Sequence, residues 1–182
     1  DVASQLDVSL ICMGTHGMKG LQKITGSWAM KVISSTDVPF YVVQAPPLKE
    51  DIKNIIFPVD ENKETAEKLT WGKYISKNFN ASVRIVKQHF EGGTKVSSNM
   101  AFVSKYLKTH EIEFDVYDPP KTKNFIDSII SYASKKEPCM ILIIVKRGIN
   151  IADYIMGLDE QKIIFNQYKI PVLCVNQGNK AK

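Results

Sequence analysis

Two apolar runs, separated by a glycine-rich loop and a helical pattern, constrain the fold of this chain more than any other feature. The first run, Leu10–Met13, belongs to a predicted strand over Ser9–Met13. A helical pattern over Ser27–Ser34 precedes a second predicted strand, Phe40–Gln44. The loop between the first strand and the helix contains four glycines: Gly14, Gly17, Gly20 and Gly26. This order of strand, loop, helix and strand predicts two parallel strands joined by a crossover helix.

The glycine loop has two interpretations. A loop of this kind at the carboxyl end of a strand can cradle phosphate, because glycines let backbone N–H groups close around an anion. The amino terminus of the following helix adds the positive end of its dipole. In the alternative, the loop is a tight turn and Ser27 only caps its own helix. Glycine spacing alone favours the turn.

After a linker around residues 45–51, a complete alternation of strands and helices follows. The predicted strands are Asn54–Val59, Ser82–His89, Glu113–Tyr117, Met140–Val145 and Val172–Val175. The predicted helices are Lys63–Asn78, Lys95–Thr109, Asn124–Lys136 and Asp159–Tyr168. This alternation predicts a doubly wound α/β domain with a parallel sheet. The uninterrupted apolar run Met140–Val145 is typical of a central strand that is buried on both faces.

The chain contains an internal repeat, in which Ile141–Val175 repeats the pattern of Leu10–Val43. We therefore expect residues 1–48 to be the C-terminal part of a first domain and residues 49–182 to be a complete second domain. Two strands and one helix do not close a core of their own. We expect a further segment of about 100 residues to complete the first domain.

The residues of the first copy carry a family resemblance. Gly14-Thr-His-Gly17, then Gly26-Ser27, a helix and a strand resemble the carboxyl-terminal half of a universal stress protein domain. Nucleotide-binding members hold ATP phosphates with Gly-x-x-Gly, nine residues and Gly-Ser/Thr, whereas the gap here is eight residues, Met18–Thr25. The resemblance implies that ATP, with Mg, is bound in the first domain by Gly14, His16, Gly17, Gly26 and Ser27.

The resemblance also bears on the second domain. It implies a Rossmann-like sheet of five strands in the order 3-2-1-4-5, with Asp60 matching the acidic residue near the adenine and ribose. Asp60 is equally well placed to cap the helix that follows it. Val145 and Leu158 replace Gly14 and Ser27 of the first copy, so we expect the second nucleotide site to be degenerate.

In the family, the fifth strands of two domains often pair antiparallel. The resemblance therefore implies that Phe40–Gln44 pairs with Val172–Val175 in an internal pseudo-dimer or with another copy. The partners that we expect are the chain itself, the missing half of the first domain and a further protein.

Composition restricts the remaining possibilities. The net charge is +5, but the lysines are dispersed and the chain has only two arginines, so we expect no nucleic-acid groove. The longest apolar run is too short to cross a bilayer, and acidic residues stand where a signal peptide would be basic. Three scattered cysteines, Cys12, Cys139 and Cys174, predict buried reduced thiols in a cytoplasmic protein rather than a disulfide scaffold or a metal site.

The sequence contains no P-loop, nucleophile elbow or HExxH motif. We therefore expect no catalytic residues and a non-catalytic, nucleotide-responsive regulator of the stress response. Two alternatives stay open. The first is a scaffold that binds no nucleotide and acts through its pseudo-dimer surface, and the second is a slow ATPase.

Overall fold

The computed structural model describes residues 6–15, 23–46, 51–62, 66–89, 94–145 and 158–176, leaving aside the side chains of residues 23–28 and 158. Seven strands alternate with five helices in this part of the chain. The strands are β1 (Ile11–Gly14), β2 (Phe40–Val43), β3 (Asn54–Val59), β4 (Ser82–Lys87), β5 (Phe114–Tyr117), β6 (Cys139–Val145) and β7 (Val172–Asn176). The helices are α1 (Lys23–Ser35), α2 (Ala66–Phe79), α3 (Thr94–Thr109), α4 (Phe125–Ala133) and α5 (Leu158–Ile164).

The seven strands form one sheet in the order β1-β2-β7-β6-β3-β4-β5. Within the set β3 to β7, every pair of neighbouring strands is parallel. Their order, β5-β4-β3-β6-β7, is the predicted order 3-2-1-4-5 when β3 is counted as the first strand. The predicted α/β fold is therefore confirmed. The apolar run that marked β6 as a central strand lies between β3 and β7 and is buried along nearly its whole length.

Three of the described helix boundaries differ from the prediction by more than one residue. Helix α1 begins at Lys23 rather than at Ser27, because a single glycine such as Gly26 is tolerated inside a helix at a cost of about 1 kcal/mol. Helix α4 ends at Ala133, three residues early, in hydrogen-bonded turns. Helix α5 ends at Ile164 rather than at Tyr168 because the buried Asn166 side chain closes a turn with Ile170. The predicted start of α2 at Lys63 lies outside the described residues.

The first two strands join the sheet through an antiparallel contact between β2 and β7. Tyr41 pairs with Leu173 at its centre, and Phe40–Cys174 and Val42–Val172 flank it. Phe40–Val43 and Val172–Val175 are equivalent in the internal repeat, so the register is symmetric about the central pair. This is the contact between fifth strands that the resemblance implies.

Helices cover both faces of the sheet. On one face, α1, α4 and α5 pack their apolar residues against the strands, and α2 and α3 do so on the other. Trp71 of α2 is only 6% exposed and fills this second core, as expected of an aromatic residue on an amphipathic helix. None of the described helices combines the length and the apolar composition needed to cross a bilayer.

The cysteines differ in their environments. Cys139 and Cys174 are buried, as predicted, but the prediction is wrong for Cys12, which is exposed. Cys12 lies on β1, which is the edge strand of the sheet and alternates between half-buried and exposed residues. No described helix covers its face of the strand, so its side chain stays accessible.

Candidate functional site

The glycine loop of the first copy leaves the carboxyl end of β1. Gly14 is the last residue of that strand, and the amide of Thr15 donates a 2.8 Å hydrogen bond to the carbonyl of Val43. The amide of Thr15 is therefore occupied within the sheet rather than available to a phosphate. His16 and Gly17, the next predicted site residues, lie outside the described residues.

The early start of α1 changes which amides can face a ligand. The first four N–H groups of a helix, counted from its N-cap, have no acceptor within it, and in α1 those of Lys23, Ile24 and Thr25 belong to this set. The amide of Gly26 is the first to find an acceptor inside the helix, and the amide of Ser27 is the next. If Ser27 contributes to a phosphate site, its hydroxyl does so.

The backbone at Gly14 is open on the side where other residues carry a Cβ atom. A Cβ built there meets no atom of the described chain within 4 Å. Packing against the described residues therefore does not require a glycine at this position. The missing side chain leaves space beside the end of β1, and this space fits the close approach of a phosphate to the backbone.

Asp60 follows β3 and forms a turn rather than a helix cap. Its carboxylate accepts hydrogen bonds of 2.7 Å from the amide of Asn62 and of 3.0 Å from the Asn62 side chain. Asn99 of α3 donates to the main-chain carbonyls of both Asp60 and Asn62, at 2.8 and 2.6 Å. Sequence reasoning missed Asn99, because no motif connects it to Asp60.

The structure does not bring Asp60 together with the glycine loop. Strands β1 and β2 are parallel to each other, but β2 is antiparallel to β7 and hence to β3. Strands β1 and β3 therefore run in opposite directions, so the residues that follow their carboxyl ends lie at opposite ends of the strands. Gly14 and Asp60 therefore do not share a site. Gly14 lies in a first unit of the sheet, made of β1, α1 and β2, and Asp60 lies in a second unit, made of β3 to β7 with α2 to α5.

The candidate site of the second unit, which includes Asp60, lies where the strand order reverses, between β3 and β6. Ligands of open α/β sheets bind at such switch points, outside the carboxyl ends of the strands. In the described sheet, β3 pairs with β6 over Asn54–Ile56, and the carboxyl half of β3 has no partner in β6. Lys68 of α2, only 4% exposed, donates a 2.5 Å hydrogen bond to the carbonyl of Pro58 there. Its ammonium also lies 4.1 Å from the centre of the Phe57 ring.

The neighbouring strand ends carry further polar groups. His89, after β4, has its Nε2 atom 2.7 Å from a carboxylate oxygen of Asp118, after β5, and Lys87 lies 3.9 Å from the other oxygen. The buried side-chain oxygen of Gln88 has no hydrogen-bond partner among the described residues. His110 lies after α3, where it stacks on Tyr106 with ring centres 4.2 Å apart, so His89 and His110 do not share a site.

Metal-ligating side chains do not gather in the described part of the chain. No group of three or more His, Cys, Asp or Glu residues there could hold a metal ion.

The loop of the second copy, between β6 and α5, leads into a helix whose first turn carries Asp159 and Glu160. These carboxylates complement the helix dipole themselves and repel an incoming phosphate.

A comparison with protein families decides which family the glycine loop belongs to. The sequence profile of the universal stress protein family matches residues 1–44, which include the whole predicted loop. This segment belongs to the universal stress protein family. None of the curated proteins matches the chain.

Solved structures of universal stress proteins share the fold of the whole chain. One from Archaeoglobus fulgidus superposes with a TM-score of 0.74 at 16% sequence identity, over 98% of this chain and 64% of its own. A universal stress protein from the same organism in complex with dAMP gives a TM-score of 0.52 at 16% identity, covering 68% of this chain and 97% of its own. Another, in complex with cAMP, gives a TM-score of 0.52 at 13% identity, over 71% of this chain and 100% of its own. The chain thus has the fold of universal stress proteins and spans 64% of the length of the first of them.

Proposed function

We propose that this chain is part of a universal stress protein that senses an adenine nucleotide without catalytic turnover in the cytoplasm. The nucleotide, ATP with Mg, binds at the loop between β1 and α1. The observation that carries the proposal is the family match over residues 1–44, because it falls on this loop and its flanking elements. Structures of the same fold in complex with dAMP and cAMP support an adenine nucleotide as the class of ligand.

The described residues fit a phosphate group at this loop. Gly14 leaves open space beside the end of β1, and the amides of Lys23, Ile24 and Thr25 at the start of α1 have no acceptor within the helix. In the proposal, the amides of Gly14 and Gly17 and the first amides of α1 hold phosphate oxygens, and Gly26 lets the phosphate approach the helix closely. The Ser27 hydroxyl donates to one of these oxygens, and His16 approaches them from the loop.

The second unit, in this proposal, has lost ATP. Asp159 and Glu160 place negative charge at the helix terminus where the phosphates would lie. At the carboxyl end of β3, the buried Lys68 ammonium donates to the Pro58 carbonyl and lies over the Phe57 ring, so these contacts occupy it in place of a ligand. The carboxylate of Asp60 is likewise taken up by its own turn with Asn62.

Calorimetric titration of Mg-ATP into the longest natural form of the polypeptide tests the proposal. Replacing Ser27→Ala should weaken binding by about 10- to 150-fold, since one hydrogen bond to a charged group contributes about 1.5–3 kcal/mol. Ser35→Ala, an exposed serine at the other end of α1, is the matched control and should leave the affinity unchanged. Asp60→Asn should also leave it unchanged, because Asp60 lies at the opposite edge of the sheet.

The outcomes separate the three functions. Absence of heat in every form would overturn nucleotide sensing. Weaker binding in Asp60→Asn with no effect of Ser27→Ala would move the site to the second unit. Mg-dependent release of phosphate from bound ATP, lost in Ser27→Ala, would establish a slow ATPase instead of a sensor.

The second candidate function is a scaffold that acts through the pseudo-dimer surface. The antiparallel pairing of β2 with β7 favours it, because this contact joins the strands of both units in one continuous seven-stranded sheet. A scaffold should bind its protein partner equally well with and without Mg-ATP. A partner affinity that changes on addition of Mg-ATP would support the sensor.

The open edge of β1 suggests the partner that completes the first unit. In the internal repeat β1 is equivalent to β6, and β6 pairs with β7 on one side and with β3 on the other. β1 pairs with β2, and no other described strand lies beside it. We propose that a strand from the missing half of the first domain, or from a second copy, pairs there. The amides of Ile11 and Thr15 donate to β2, so the alternate amides of Cys12 and Gly14 face the open edge. Slow amide exchange of Cys12 and Gly14 in the longest natural form, against fast exchange in the 182-residue chain, would support this partner. Equal exchange in both would contradict it.

A further inference from the structure

A cavity of about 430 Å³ lies where the two units meet. Its lining comes from the end of β2 and the residues after it, from the segments that lead into β3, β6 and β7, and from the last residue of α2. The volume falls within the range of small-molecule sites. Neither Gly14 nor Thr15 lines it, so among the described residues the cavity is separate from the glycine loop.

Hydrogen bonds between different elements fix the walls of this cavity. The side-chain amide of Gln44 donates a 2.8 Å bond to the last carbonyl of α5 and so ties the first unit to the second. Asn166, only 3% exposed, holds the following loop by exchanging bonds of 2.9 and 3.0 Å with the main chain of Ile170. The amide of Lys53 donates a 3.0 Å bond to the carbonyl of Pro138 and so joins the two segments that contribute Ile52 and Glu137 to the lining. A site with such walls is formed before a ligand arrives, which lowers the entropic cost of binding.

Three aromatic residues contribute to the lining of the cavity. Phe79 and Tyr168 line the cavity and are 39% and 47% exposed, so their rings remain accessible. Tyr41 lines it from β2 and is half-buried. Burial, reinforced by the nearby Cys12 and Cys139, raises the pKa of Tyr41 to about 12, so its hydroxyl is neutral at physiological pH. Neutral aromatic rings attract cations through their negative faces.

The charged groups of the lining point to the same class of ligand. Among the described residues of the lining, Asp51 and Glu137 contribute two carboxylates and Lys169 contributes one ammonium. All three side chains are exposed at the mouth of the cavity. Two carboxylates beside aromatic rings favour a positively charged ligand over a negatively charged one, which also distinguishes this cavity from a phosphate site.

We propose that this cavity binds an organic cation with an apolar body, of the arylalkylamine class. The apolar body lies between Phe79 and Tyr168, and the ammonium lies at the mouth beside Asp51 and Glu137. The site spans both units, so a ligand there would stabilise their contact. This proposal does not depend on nucleotide binding at the glycine loop.

A matched pair of probes tests the sign of the charge. 4-Phenylbutylamine and 5-phenylpentanoate carry the same ring and the same methylene chain but opposite charges. Titrated into the ¹⁵N-labelled protein, the amine should shift the amide signals of residues that line the cavity, with a Kd of about 1 mM for a ligand of this size. The anion should bind at least about threefold more weakly.

Charge-removing variants locate the ammonium. Glu137→Gln and Asp51→Asn, both exposed and therefore harmless to folding, should each weaken amine binding by about threefold. Glu61→Gln, an exposed acid at the other edge of the sheet, should not change it. Equal affinity for amine and anion, unchanged binding in both cavity variants, or shifts confined to residues outside the lining would each overturn the proposal. Phe79→Leu checks the ring contact and should weaken the amine further.

Discussion

The side-chain amide of Asn176, at the end of β7, donates a 2.9 Å hydrogen bond to the main-chain carbonyl of Ile33 in α1. Gln44, which follows β2, donates the equivalent bond to Ile164 in α5 at 2.8 Å. In the internal repeat Gln44 corresponds to Asn176, and Ile33 corresponds to Ile164. The two units therefore exchange the same hydrogen bond in both directions, as the two halves of an isologous dimer do.

Removing the buried member of this pair should destabilise the fold. Asn176 is fully buried and also donates to the carbonyls of Thr36 and Val38, so Asn176→Ala leaves several buried carbonyls without a donor. We expect a loss of about 2–3 kcal/mol in the free energy of unfolding, measured by urea denaturation. Gln44→Ala should cost about 1 kcal/mol, because Gln44 is only half-buried.

An exposed asparagine provides the control for this prediction. Asn78 donates a 2.7 Å bond to Tyr74 within α2 at the surface, so Asn78→Ala should change the free energy of unfolding by less than about 0.5 kcal/mol. If Asn176→Ala costs no more than Asn78→Ala, the bonds between the units contribute nothing to stability.

The three cysteines should react at very different rates with a thiol reagent. Burial raises the pKa of Cys139 to about 12 and raises that of Cys174 as well, so both are protonated as well as inaccessible. Cys12 is exposed on the edge strand β1. We expect one thiol per chain to react with Ellman's reagent in the native protein at neutral pH and all three to react in urea. Cys12→Ser should abolish the native reaction, and rapid labelling that survives this substitution would contradict the described burial.

Much of the fold could be predicted because each element carries its own signal. The run Met140–Val145 marked β6 as a central strand, and the bounds of β3 agree with the prediction at both ends. The predicted end of a helix was wrong where a tertiary contact overrode the local composition. Helix α5 stops at Ile164 because Asn166 closes a turn with Ile170, a contact that no periodicity indicates.

The candidate site was less predictable for a physical reason. Gly14 and Asp60 each follow a strand, but whether they share an edge depends on the direction in which β2 meets β7. The partners of Asp60 are similarly remote in sequence, since Asn99 reaches it from α3. Contacts of this kind depend on how elements pack together, whereas a sequence pattern reports only what each element is.

The stability of the protein should fall at alkaline pH. Burial is the main cause that raises the pKa of Tyr41 from 10.0 to about 12. Between these pH values the unfolded chain has lost a proton that the native state retains, so the free energy of unfolding decreases as pH rises. Burial also raises the pKa of Tyr132, with Asp115 adding to the effect, which acts in the same direction.

Tyr41→Phe isolates one part of this pH dependence. The variant keeps the ring but removes the titrating hydroxyl, so the decrease of stability above pH 10 should be shallower than in the parent protein. Urea denaturation at pH values below and above 10 measures the two slopes. Identical slopes would show that Tyr41 does not hold its proton more tightly in the native state.

A glycine in the middle of α2 offers a stabilising substitution. A Cβ atom on Gly72 would lie 3.5 Å from side-chain atoms of both Leu142 and Phe57, which is ordinary van der Waals contact. Gly72→Ala should therefore fit between α2 and the sheet and raise the free energy of unfolding by about 0.5–1 kcal/mol, because alanine favours the helix. Thermal unfolding should show a higher Tm by about 1–4 °C. Gly72→Val adds two methyl groups where contact is already made and should lower stability by about 1–3 kcal/mol. A lower Tm for Gly72→Ala would mean that α2 lies closer to Leu142 and Phe57 than these distances allow.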